Sequence, residues 1–404
     1  MNLRVTKIPE RIFWASLIFC TLYSSFRYPL KIGTSTTSPT YSDTPVILQI
    51  AKFIVVLLLC ALSAIWTWTR PIKSKRSIML LCILFLFTFP SWKSFYHFDT
   101  NYLDLMFWPL AALAMALSLK KIRISALDAY MSFLLFYALM TDAIEVLLFV
   151  VYGRLPAQGY PHSIVVRFGG WLDAPNDFAC ILFLLMGWVF FKYRGGKRFI
   201  LETSLLLCLA LTQSFTAYVF LVLLMLVAGT AHGFRHPRSA IWIPVVLLVI
   251  FRFIMALPAV DLVSTLVTDK SGSIAAHMAS PGALFDAWRG WFLLGLPSYE
   301  FFENWWLSSL LNFGVIWFGV CVATMLGLLY RISREFRGCA ERRAKALLGG
   351  FLLLSLYCVA GSTNLPLLMM FPVNYMFYLF CFLVAFDKLE YESATCWPLV
   401  SVRT

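Results

Sequence analysis

Twelve long apolar stretches in succession constrain this chain more than any single motif. They fall at 12–26, 46–68, 78–92, 102–119, 126–151, 174–191, 199–213, 215–231, 239–257, 305–330, 346–362 and 366–386. A helix needs about 20 mostly apolar residues to cross a bilayer, and a segment in lipid has to satisfy its own backbone hydrogen bonds. The expectation is an all-α, polytopic integral membrane protein with about twelve transmembrane helices. Composition agrees: 61% of the 404 residues are hydrophobic and 13% are charged, about half the charge of a soluble globule. The first stretch follows Arg4, Lys7 and Arg11, as a signal peptide would, but no small-residue cleavage site follows. It is read as a retained helix.

The net charge of +13 has a topological explanation. With the N-terminus inside, 24 Lys and Arg fall in inside loops and 7 in outside loops, while Lys52 and Arg252 sit within spans. Cytoplasmic loops collect Lys and Arg, so both termini are expected in the cytoplasm, and no nucleic-acid partner is needed to explain the charge. The same rule divides 199–231 into two short helices hinged near Gln213-Ser214. A single helix there would carry the basic run from Arg331 to Lys345 to the outside.

Cofactor chemistry finds little foothold. The ten cysteines lie in apolar or cytoplasmic segments, so neither a disulfide nor a thiol metal site is expected. The five histidines lack zinc-type spacing, and no nucleotide-type glycine loop occurs. The chain reads as a single transmembrane domain over 1–404, with no internal repeat. Two outside loops, 152–173 and 258–304, are long enough to build a site.

Charges within spans are costly and mark function or helix-locking pairs. Lys52, Asp142, Glu145 and Arg252 all fall in the outer half of the membrane, and Glu202 lies near the inner edge. Asp142 and Glu145 share one helix face. They either neutralise Arg252 or Lys52 or line a polar cavity open to the outside. A transporter works about a site near the midplane, and the inner halves are almost free of charge.

The loops supply two polar constellations. In RFGGWLDAPNDF, Arg167 offers a fork of donors suited to a phosphate, or it is a solvated loop arginine. Gly169-Gly170 permits close backbone approach to a ligand. Pro175, with Asp173 or Asn176, fits a helix start, and Asp173 and Asp177 read as caps more readily than as acids. In the second loop, Ser280-Pro281 reads as a helix start that places Leu284, Ala287, Trp288, Trp291 and Phe292 on one apolar side. His277 precedes it, and Arg289 either pairs with Asp286 or faces an anion. Glu300, Glu303 and Asn304 lead into the next span. A carboxylate there serves as a general base or as a helix-start acid.

Two stretches resemble the bacterial O-antigen polymerase and O-antigen ligase superfamily. Its Arg, Gly, then Pro-Asn landmark matches Arg167, Gly170, Pro175 and Asn176. A Ser-rich turn between short helices is approximated by Gln213-Ser214, with Phe215 where an arginine is usual. A third element corresponds to Ser273 to His277, Gly295, Glu303-Asn304 and Gly314. His277 stands where arginine is common, and Glu303 stands where ligases carry a catalytic histidine. The second departure favours a polymerase, for an exopolysaccharide or O-antigen.

That resemblance implies a GT-C-like glycosyltransferase architecture with a large periplasmic loop, in the bacterial inner membrane. It implies metal-independent, inverting transfer from an undecaprenyl-pyrophosphate-linked glycan, with no cofactor. Catalytic roles go to Arg167, His277, Arg289 and Glu303. Substrate binding goes to Gly170, Asn176, Asp177, Glu300 and Asn304, with Lys52, Asp142, Glu145 and Arg252 below them. Expected partners are the lipid-linked oligosaccharide, membrane lipids, and chain-length regulator and flippase proteins. An O-antigen ligase and a lipid-linked oligosaccharide flippase are the alternatives.

Overall fold

A computed structural model describes residues 8–23, 54, 77–97, 101–152, 168–172, 175–212, 214–235, 290–299, 304–363, 367–368 and 372–391. Ten helices run through them: α1 (Ile8–Tyr23), α2 (Ser77–His97), α3 (Asn101–Ser118), α4 (Ile124–Tyr152), α5 (Pro175–Lys192), α6 (Gly195–Thr212), α7 (Phe215–Arg235), α8 (Trp305–Gly338), α9 (Arg342–Gly361) and α10 (Val373–Ala385). Among the described residues, α4, α5, α8 and α9 are long and apolar enough to cross a membrane, and α2, α3, α7 and α10 contain shorter apolar runs. The expected spans 46–68 and 239–257 lie outside the described residues, Ile54 excepted. The 199–231 stretch breaks as the charge rule requires, into α6 and α7 with Ser214 between them.

The centre of the bundle is α5, buried from Asp177 through Val189 apart from Met186. It packs on α9 backbone to backbone. A Cβ on Gly187 would stand 2.6 Å from the Gly349 carbonyl oxygen, and one on Gly350 would stand 2.7 Å from that of Leu184. Lipid tails are as apolar as leucine, so helices in a membrane gain little by hiding apolar surface from one another. Close approach over small residues supplies the contact instead. Above this crossing, Phe183 meets Tyr357 and Phe220 at ring distances of 4.5 and 5.0 Å.

Contacts sort the described residues into two ends. At one, β1 (Ile122–Arg123) pairs in parallel with β2 (Leu389–Glu390), and the Lys388 ammonium donates to the carbonyls of Leu117 and Leu119. Asp128 accepts from both Lys192 and the Trp188 indole at 2.9 Å, and Arg331 binds Asp387 at 2.5 Å. This end also carries the exposed Lys120, Lys121 and Arg123. The opposite end gathers segment 168–172, the α6–α7 turn, residues 290–299 and the α8 start. There the Trp305 amide donates to the Ser362 carbonyl at 3.0 Å, tying α8 to the end of α9.

Candidate functional site at the loop-bearing end

Segment 168–172 is held by an acid that the sequence places within a span. Glu145 is 5% exposed, and its Oε2 accepts from the amides of Gly169 at 3.0 Å and Gly170 at 2.7 Å. Gly170 adopts φ 58°, and a Cβ there would lie 2.6 Å from the Phe178 ring. The glycine pair brings backbone close to a carboxyl group, that of Glu145 in the chain itself. Trp171 and Leu172 then turn inward and are buried, while the Phe168 amide reaches the Leu211 carbonyl at 3.1 Å.

Asp142 lies one turn below Glu145 on α4, 4% exposed, with its Oδ1 lacking a hydrogen-bond partner among the described residues. Its carboxyl neighbours the Cys208 thiol of α6. The expected cationic partners Lys52 and Arg252 lie outside the described residues. A buried amide left without an acceptor costs about 1–3 kcal/mol, so Glu145, which serves two, anchors segment 168–172.

Two of the sequence landmarks meet directly. The Ser214 hydroxyl donates to Asn176 Oδ1 at 2.7 Å and accepts from the Ala217 amide at 3.3 Å, capping α7. The Asn176 side chain therefore joins α5 to the α6–α7 turn. Asp177 lies in the first turn of α5 and is buried at 4% exposure, within electrostatic reach of Cys180 and Tyr357.

Two glycines of the third landmark are also brought together. Gly295 (φ 80°) and Gly314 (φ 76°) both take the left-handed conformation. A Cβ on Gly295 would lie 2.2 Å from the Asn312 carbonyl oxygen, and one on Gly314 would lie 2.3 Å from that of Leu293. Gly314 breaks α8, and segment 292–296 repairs the break: Val315 donates to the Phe292 carbonyl at 2.9 Å and Leu296 to that of Leu311 at 2.7 Å. Trp291 and Phe292, expected on an interfacial helix, lie instead in the turn that begins this segment. Asn304 caps α8, its side chain accepting from the Leu307 amide at 2.9 Å. That oxygen is committed to the helix start.

In the charge count Lys93 is one of the seven outside-loop cations. The apolar span was expected to stop at Trp92, yet α2 continues through Pro90 to His97. Lys93 is 2% exposed and reaches the 290–299 segment. The signal was faint: a single basic residue among the aromatic residues Trp92, Phe95 and Tyr96. Arg167, His277, Arg289, Glu300 and Glu303, with Asp173 and Asp286, lie outside the described residues. No protein-family model matches the chain, and neither does any curated protein.

Proposed function

We propose that this protein polymerises undecaprenyl-pyrophosphate-linked oligosaccharide repeats on the periplasmic side of the bacterial inner membrane. The chain would cross it about twelve times, with both termini cytoplasmic. One observation carries the proposal: the ends of both long loops open from the same end of the bundle. Residues 168–172 and 290–299 are anchored there by Glu145, by the Asn176–Ser214 bond and by the Gly295–Gly314 junction. A site shared between two distant loops needs this convergence.

A hydroxyl of one lipid-linked repeat attacks the anomeric carbon of another. The new C–O bond forms as the bond to pyrophosphate breaks, and pyrophosphate leaves with the electron pair. Arg167 and Arg289, helped by His277, receive its growing negative charge, because preorganised donors act most strongly where charge develops. Glu303 takes the acceptor proton, with Glu300 as the second candidate. In this scheme Glu145 holds the Gly169-Gly170 turn and so fixes where Arg167 begins.

Deleting the gene tests the proposal. Single lipid-linked repeats should accumulate on the outer leaflet, and Arg167→Ala should reproduce that while the protein still inserts. Long polymer left unattached to its acceptor would mean a ligase, and repeats trapped on the inner leaflet would mean a flippase.

A further inference from the structure

At the break in α8 the helix leaves carbonyls without their usual amide partners, a costly condition where water is scarce. Segment 292–296 satisfies part of that demand, and Lys93 adds to it. Its ammonium donates to the carbonyls of Leu294 at 2.9 Å, Leu296 at 2.7 Å and Asn312. A three-donor ammonium thus meets three backbone acceptors drawn from two segments. Carbonyl dipoles here replace the hydration shell of a cation, as they do for alkali ions in carbonyl-lined sites.

We propose that Lys93 is a tethered cation that latches the 290–299 arm onto α8, and that it is a positioning residue for the glycosyl transfer. The latch itself follows from the geometry, and only the positioning role rests on the polymerase proposal. The arm leads into Asn304, which starts α8, and Glu300 and Glu303 lie just before that residue in sequence. A pin at 294, 296 and 312 therefore fixes the arm within a few residues of both acids. Lys93 does this from α2, a helix that carries none of the residues assigned to chemistry.

The test pairs a proximity readout with an activity readout in native membranes. Phe292 and Val315 are bonded through their backbones and are 47% and 43% exposed. A Phe292→Cys/Val315→Cys pair should therefore be bridged readily by a short thiol cross-linker. Adding Lys93→Met, which keeps the length and loses the charge, should slow bridging about tenfold or more and shorten the polymer. Lys93→Ala should behave alike, but methylammonium, which fits the vacated cradle, should restore both bridging and polymer.

Undiminished bridging in Lys93→Met overturns the latch. Lost bridging with normal polymer overturns the positioning role. Where Lys93→Met fails to accumulate, amine acetylation of the wild type decides. Lys93 should resist it while the exposed Lys121 reacts, and equal rates overturn the latch. Single repeats failing to accumulate in the deletion strain would sink the polymerase proposal alone, leaving the bridging result to stand.

Discussion

The Ser214 hydroxyl donates to the Asn176 side-chain carbonyl across 2.7 Å, joining residues 38 positions apart in the chain. Both groups lie where α5, α6 and α7 converge, and Ser214 is fully buried. Ser214→Ala removes the donor to Asn176 and the acceptor for Ala217 together. A loss of about 1–3 kcal/mol is expected, read as a lowered Tm for the detergent-purified protein. Ser214→Thr should recover most of it, and an unchanged Tm in the alanine variant would show that the joint contributes nothing to stability.

Glu145 offers a second check. Glu145→Ala strips two buried amides of their acceptor, which costs about 1–3 kcal/mol for each group left unsatisfied. Glu145→Gln keeps a carbonyl oxygen and should be milder. Phe168 is 6% exposed, so Phe168→Cys should react slowly with a maleimide. It should react severalfold faster beside Glu145→Ala and little faster beside Glu145→Gln.

The glycine junction predicts a sharp contrast within one helix. Gly295→Ala and Gly314→Ala each place a Cβ against a carbonyl and force an L residue to positive φ. Each should cost at least about 1–3 kcal/mol and lower the yield of folded protein. Gly319 and Gly327 in the same α8 have open space where an added methyl group would sit. Alanine there should be neutral or raise stability by about 0.5–1 kcal/mol. Fluorescence-detected size exclusion of the four variants makes the comparison.

Sidedness can be read with cysteines at the two ends. Lys121 is exposed beside β1, and Ser298 follows Gly295 at the other end. In intact spheroplasts a membrane-impermeant maleimide should label Ser298→Cys and spare Lys121→Cys until the membrane is opened. The reverse pattern would invert the orientation taken from the charge count.

The sequence by itself determined the class and much of the layout. Apolar length and the placement of Lys and Arg are local properties, so they report helices and their breaks without knowledge of contacts. Polar ends such as Lys93 to His97 and Arg331 to Gly338 nevertheless stay helical beyond the apolar runs. The division at Gln213-Ser214 came from that source, and α6 and α7 meet beside Ser214. Glycines at 295 and 314 could be noted, but nothing in the sequence said that they face each other.

Only the tertiary structure decided what each polar group does. Glu145 accepts from the Gly169 and Gly170 amides, a role that its place within an apolar span did not announce. Asn304 became a cap, and Lys93, in the sequence only one of the outside-loop cations, meets three carbonyls. The physical reason is common to all three. In a bundle surrounded by lipid a polar group has to find a partner inside the protein. Which partner comes within hydrogen-bonding reach depends on how distant helices cross, and residue spacing along one helix carries no record of that.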